Sequence, residues 1–291
     1  MTSLQNKIDF AIIFRVNHAN PNGDPLNGNR PRTDYEGLGE VTDVCLKRKL
    51  RDRLQEAGQP IFVQSDDRKV DEYKSLAERA KGILGDKLGG PETTARACAE
   101  WFDVRAFGQL FAIKAGKKAK KGEANDEAAG DTGISIGIRG PVSIQSAFSL
   151  LPVSVTSTQI TKSVSGEGDG SKRGSDTMGM KHRVDHGVYA SYGSMNPQLA
   201  ERTGFSNADS EAIKTILPTL FENDASSARP DGSMQVLSVV WWKHNCKAGQ
   251  YSAAKVHGSL QDLLNKEDGT FDKDALFQAL PGLKPEIIDG F

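Results

Sequence analysis

His18, Asp24 and Asp34 fall within one stretch rich in Asn, Gly and Pro, NHANPNGDPLNGNRPRTD. A histidine beside two carboxylates is a set that can carry acid/base or one-metal hydrolysis of a phosphodiester. In this company, however, Asp and Asn serve turns first, because their short side chains bond the backbone two residues on. The run NPNGDPLNGN also has the composition of a calcium loop. Pro25 stands where the sharp-turn glycine is needed and Pro31 where the closing glutamate is needed, so no EF-type site is expected. His182, Asp185 and His186 look like ligands, yet on a strand Asp185 points away and the two histidines lie about 13 Å apart, too far for one ion. GEGDGSKRGS has phosphate-loop composition without keeping G-x-x-x-x-G-K-[ST], which excludes a nucleoside triphosphatase of that type. The three cysteines, Cys45, Cys98 and Cys246, form no ligand-spaced cluster, so a structural zinc is not expected; neither a metal nor another cofactor is.

The loop must be held by the element that succeeds it in the chain. From Val41 to Ala57 the pattern turns helical, with Leu46, Leu50, Leu54 and Ala57 on one face and Lys47, Arg48 and Arg51 on a flank expected to meet solvent. A Gly-rich loop leading into a helix with free amides and a basic flank suits a phosphate chain. Net charge is only −1, but its distribution is uneven: cations bunch at 30–53, 114–121 and 162–183, and acids gather at Glu267, Asp268, Asp272, Asp274, Glu286 and Asp289. Such a chain can hold a polyanion on one side and meet a partner, or its own copy, on another.

Read in order, Ile8–Val16 is a buried strand. Helices are predicted near 66–84 and 92–101, strands over 134–139 and 142–155, a polar excursion over 156–180, a strand over 181–192, a helix over 207–221 capped by Ser206, and a strand over 234–242. The order β-α-insert-β-hairpin-β-α-β predicts an α+β fold of ferredoxin-like, or RRM-like, type: an antiparallel sheet with two helices on one face. No strand carries the base-stacking consensus of RNA-binding RRM domains, so any RNA contact is expected from the loop, the first helix and the hairpin, mainly through phosphates. Met178 and Met180, near the hairpin base, are adaptable apolar groups that either wedge against a base or pack. No apolar run reaches membrane-spanning length and no signal-peptide pattern opens the chain; the expectation is a cytoplasmic protein without a membrane partner.

NPNGDPLNGNRPRTD followed by VTDVCLKRKLRD resembles the signature of the backbone subunit of type I-C CRISPR-associated Cascade complexes, the Cas-seven group of the RAMP superfamily. DVRAFG (103–108), RGPVSIQSAF (139–148) and SSARPDG (226–232) resemble further blocks of that family in the same order. The resemblance implies a hand-like chain. Its parts are an RRM-like palm (1–59 and 132–255), an inserted helical web (60–131), a projecting β-hairpin thumb (156–180) and a C-terminal tail on the palm (256–291). It implies a non-catalytic subunit whose copies stack head to tail along a CRISPR guide RNA and present it for pairing with a target DNA strand, beside a guide-processing end subunit and a large subunit. On the matching positions, the implied RNA contacts are Asn20, Asn22, Arg30, Arg32, Lys47, Arg48 and Arg51, with Arg139, Lys172 and Arg173. Type III RAMP relatives cut RNA with a loop aspartate. A RAMP-type endoribonuclease using His18, Asp24 or Asp34 is therefore the alternative, against which the type I resemblance gives Asp24 and Asp34 turn and helix-entrance roles.

Overall fold

Ile8–Ala19 is apolar in both registers, and side chains of a strand alternate between faces, so such a strand must be covered on both. The computed structural model, which describes residues 2–113, 134–161 and 178–291, places it at the centre as β1 (Ile8–Ala19). Phe10, Ile12, Phe14 and Val16 enter one core, Ala11 and Ile13 another. On one side β1 pairs antiparallel with β10 (Met178–Met195), on the other with β11 (Met234–Lys243). Adding β12 (Glu286–Asp289), β8 (Ala147–Pro152) and β4 (Leu38–Val41), the sheet runs β12-β11-β1-β10-β8-β4. β7 (Val142–Ile144) and β9 (Val155–Thr161) also pair with β10.

The first core lies under α1 (Asp43–Glu56), α5 (Pro197–Thr203) and α6 (Asn207–Ile216), which contribute Leu46, Leu50, Leu54, Ala200, Ile213 and Ile216. Against the opposite face pack α7 (Ala253–Gln261) and α8 (Lys273–Ala279), with Val256, Leu260 and Leu276. A third core belongs to the insert: α2 (Leu76–Leu84), α3 (Thr93–Glu100), α4 (Phe102–Phe107) and the pair β5 (Gly108–Ile113) and β6 (Ile134–Arg139). There Phe62 sits 4.6 Å from the Trp101 ring and 5.3 Å from Phe111. Helix α4 ties insert to sheet, because Val104 enters the third core while Phe102 and Ala106 enter the first.

Several local expectations are corrected. The Asn/Gly stretch, for which no regular element was expected, contains the short pair β2 (Gly23–Asp24) and β3 (Arg30–Pro31). Helix α1 begins at Asp43, not Val41, since Thr42 caps it (Oγ1 accepts from Cys45 N–H, 3.2 Å) while Val41 pairs in β4 opposite Ala147. Ala57 lies beyond the helix end and is exposed. The single strand expected at 142–155 is β7, β8 and the start of β9. In the polar excursion, Val155–Thr161 forms a ladder with Met178–Val184; residues 162–177, and with them Lys172 and Arg173, lie outside the described residues. Among the described residues no helix is long and apolar enough to cross a membrane.

The second face carries a buried ionic cluster. Asp9 is fully buried and its Oδ2 accepts from Lys7 Nζ (2.8 Å) and His244 Nε2 (2.8 Å), while Ser194 Oγ donates to Oδ1. Because His244 Nδ1 accepts from Gln250 N–H (2.8 Å), its proton sits on Nε2, facing Asp9. Burial opposes ionisation of Asp9, but the bonds from His244, Lys7 and Ser194 outweigh it and hold the carboxyl below its usual range. His257, on α7, donates from Nε2 to Gly193 O (3.1 Å); burial pushes its pKa down, against the pull of Asp9. A histidine depressed in the fold contributes stability that is complete above its unfolded pKa and declines as pH drops below that value towards the folded one. Melts should therefore show stability falling from about pH 6.5 downward, with a slope of at most about 1.4 kcal/mol per pH unit from this group. His257→Gln, which keeps a donor for Gly193, should flatten that decline; an unchanged pH profile would assign the sensitivity elsewhere.

Candidate nucleic-acid interface

The loop after β1 folds back on itself by turn chemistry. Asp24 Oδ1 accepts from Leu26 N–H (3.2 Å) and lies 3.3 Å from Arg32 Nη2. Asp34 Oδ1 accepts from Glu36 N–H (2.9 Å) and Leu38 N–H (2.8 Å). His18 takes a left-handed backbone (φ 49°), is largely exposed, and faces Asp185 at 3.9 Å rather than either loop aspartate. The three residues thus form no acid/base constellation, and among the described residues no group of His, Cys, Asp and Glu could hold a metal ion. His182 bonds Ser157 Oγ (2.8 Å) and His186 bonds Asn17 Oδ1 (2.7 Å), so those two histidines serve different neighbours.

Gly28 and Asn29 both adopt left-handed backbone (φ 59° and 61°), which reverses the chain between β2 and β3. The turn packs so closely that a Cβ on Gly23 would stand 2.0 Å from Asn29 Oδ1. Two backbone bonds tie the end of β1 and the loop to the segment before β11: Asn17 N–H to Ser233 O (2.8 Å) and Asn20 N–H to Ala228 O (2.9 Å). A third tie reaches the hairpin, where Arg30 Nη1 donates to Ser157 Oγ on β9 (3.0 Å). These ties leave a cleft of ≈ 240 Å³ lined by Asn20, Gly28, Asn29, Met180, Lys181 and Ala228 among others. Lys181 is exposed and makes no ion pair among the described residues; Met178 and Met180 are exposed beside it.

The helix contributes differently from expectation. Two of its first amides are taken: Ser146 Oγ accepts from Asp43 N–H (3.3 Å) and Thr42 Oγ1 from Cys45 N–H. Asn22 Oδ1 accepts from Thr42 N–H (3.0 Å) and Thr42 Oγ1 (2.9 Å), which makes Asn22 a clamp between loop and helix. Nor is the basic flank open. Lys47 pairs with Asp43 (3.0 Å), Arg48 with Asp52 (2.6 Å) and Val63 O (2.6 Å), and Arg51 Nε with Asp103 (2.9 Å). The reason is tertiary: the insert after α1 folds onto this flank and takes up Arg48 and Arg51. On the other side, buried Lys49 pairs with Asp224, which also holds Arg229 Nε (2.9 Å), anchoring the 224–233 turn to α1. Cys45 Sγ faces Pro21 O (3.7 Å), and burial pushes its thiol up, so it packs rather than reacts. Arg139 is exposed at the root of the β5–β6 pair and does not line the cleft.

Of the residues expected to contact RNA, the fold gathers Asn20, Arg30 and Arg32 around one turn and adds Lys181, one of the cations along the hairpin, and Ala228, which individual spacing did not single out. The signal for Ala228 was the block SSARPDG as a whole. Residues 6–274 match the family model described as CRISPR-associated protein Cas7. The chain belongs to the Cas7 family. A curated relative from Haloferax volcanii, "CRISPR-associated protein Cas7", is 28% identical over 296 residues, covering 99% of this chain and 82% of that protein. A chain of a solved structure described as "CRISPR RNA-guided surveillance complex, pre-nicking" superposes with a TM-score of 0.52 at 15% identity, over 94% of this chain and 87% of that one. At that identity the likeness concerns the fold: a mixed α/β Cas7-family chain built on a large antiparallel sheet.

Proposed function

We propose that this Cas7-family chain is a non-catalytic backbone subunit of a type I-C Cascade complex. In this reading it binds CRISPR guide RNA, copies of it stack head to tail along the guide, and the exposed guide pairs with a target DNA strand. The carrying observation is the convergence of the Asn/Gly turn, the base of the β9–β10 hairpin and the 226–233 turn on one cleft, with Lys181, which has no ion pair among the described residues, at its edge. Strand order β11-β1-β10-β8 with α1 and α6 on one face supports an RRM-like palm, and the separate core of the described part of the insert supports a web; the thumb at 156–180 and the tail at 256–291 belong to the same reading. Phosphate contacts are assigned to Arg30, Arg32 and Lys181, with Lys47, Arg139, Lys172 and Arg173 as further cations along the guide. Arg48 and Arg51 act through the web they hold, and Asn22 by clamping the loop. Against an endoribonuclease stands the occupation of Asp24 and Asp34 by turn amides and Arg32. The partners in this reading are the guide RNA, further copies of the chain and the end and large subunits, in the cytoplasm.

The test is a gel-shift and sizing titration on labelled repeat-spacer RNAs of increasing length at two salt concentrations. Stepwise growth with RNA length, weakening with salt and without strand scission, is expected. Scission by the wild type, lost in Asp34→Asn with binding intact, would replace the backbone reading with the nuclease.

A further inference from the structure

Asn20 is only 3% exposed, yet it lines the cleft. Its backbone N–H is given to Ala228 O, and its Nδ2 donates to Asn29 O (2.7 Å). That second bond settles the orientation of the amide, because a backbone carbonyl can only accept. The remaining atom, Asn20 Oδ1, is buried and has no hydrogen-bond partner among the described residues. A buried polar atom without a partner is costly, and at the wall of a cleft a bound ligand can supply the missing group. Its chemistry restricts the ligand group sharply. An amide oxygen accepts, and so does a phosphodiester oxygen, so Oδ1 cannot make the phosphate contact that the loop's composition suggests.

What Oδ1 can take is a donor. A strand of arbitrary sequence presents base donors irregularly, but in RNA every nucleotide carries a 2′-hydroxyl, which donates as well as accepts. We infer that Asn20 Oδ1 accepts a hydrogen bond from a ribose 2′-hydroxyl of the strand held in this cleft, so that the site selects RNA by its sugar. The inference rests on the guide-binding reading and adds to it a basis for selecting RNA over DNA that cations alone do not have. Arg30 and Lys181 meet the charge common to both polymers; Asn20 meets the group that distinguishes them.

The experiment compares the affinity of the protein for a mixed-sequence single-stranded RNA with that for the same strand carrying 2′-fluoro sugars, which keep an RNA-like pucker and cannot donate. Wild type should bind the fluoro strand about 10-fold or more weakly, as sites built around a hydroxyl reject analogues that lack it. Asn20→Ala should bind the RNA as weakly as wild type binds the fluoro strand, bringing the ratio near one, with thermal melts reporting whether the variant is folded. Equal wild-type affinity for both strands overturns the inference, and that arm does not depend on any variant. So does a ratio that persists in folded Asn20→Ala. Discrimination that follows base identity between uridine and adenosine homopolymers, rather than the 2′ group, would move the donor to the base and overturn the sugar assignment. Absence of any RNA binding by wild type overturns the guide-binding reading itself, an outcome distinct from binding without discrimination.

Discussion

Asp103→Ala should cost about 3–5 kcal/mol of folding stability, a large share of the roughly 5–15 kcal/mol that holds an average domain together. Asp103 is 1% exposed and receives three donors: Phe62 N–H (2.7 Å) on Oδ1, and Val63 N–H (3.1 Å) and Arg51 Nε (2.9 Å) on Oδ2. Removing the carboxylate leaves a buried amide, a part-buried one and a largely buried guanidinium without their acceptor, which costs more than the pair contributes when intact. Asp103→Asn should not rescue, because its amide nitrogen would face both Val63 N–H and Arg51 Nε in one orientation and Phe62 N–H in the other, donor against donor. Arg51→Glu should be comparably damaging, since it would set two carboxylates against each other. Urea titration followed by tryptophan fluorescence reads the effect, with Trp101, which packs on Phe62 in the third core, contributing beside Trp241 and Trp242. A loss below about 1 kcal/mol would mean that the insert docks on α1 without this hub.

The double variant Arg30→Glu with Lys181→Glu should weaken RNA binding about 100-fold or more at low salt, to a similar extent for unrelated sequences. Both cations flank the cleft; Lys181 has no ion pair among the described residues, and Arg30 bonds only Ser157 Oγ there. Lys181 is exposed, where substitutions change stability by roughly 0.5 kcal/mol or less, and thermal melts check that loss of the bond from half-buried Arg30 to Ser157 leaves the variant folded. On a single strand each lost phosphate contact lowers the slope of log affinity against log salt by about 0.7, so a fall of about 1.4 is expected for the pair. An unchanged slope, with the RNA still bound, would place the backbone elsewhere on the protein. A loss confined to one sequence would point to base contacts. Reversal at Lys47 and Arg51 is the less clean experiment, because Arg51 belongs to the Asp103 hub and any loss of binding there would be mixed with loss of the insert.

What was legible in the sequence was whatever local pattern dictates. Ile8–Val16 reads as a buried strand because no soluble loop is so apolar, and the repeat Leu46/Leu50/Leu54 and the Ser206-capped pair Ile213/Ile216 read as helices lying on a sheet. Asp24 and Asp34 read as turn formers from the Asn, Gly and Pro around them, and each indeed accepts backbone amides. The blocks from Asn20 to Gly232 carried the family. The state of the charges was not legible, since a cation's partner is chosen by contacts distant in sequence. Arg51 looked solvated beside Lys47, yet the insert brings Asp103 to it across 52 positions; Lys49 finds Asp224 across 175. The strand ladder at 155–161 was hidden for a related reason: its residues are polar because they are exposed, and pairing with β10 is a backbone property that side-chain hydrophobicity does not report. Asn20 shows the same division at one residue. Composition placed it in a loop suited to anions, but only the tertiary contacts with Ala228 and Asn29 decide which of its atoms is left to meet a ligand, and therefore that this atom needs a donor.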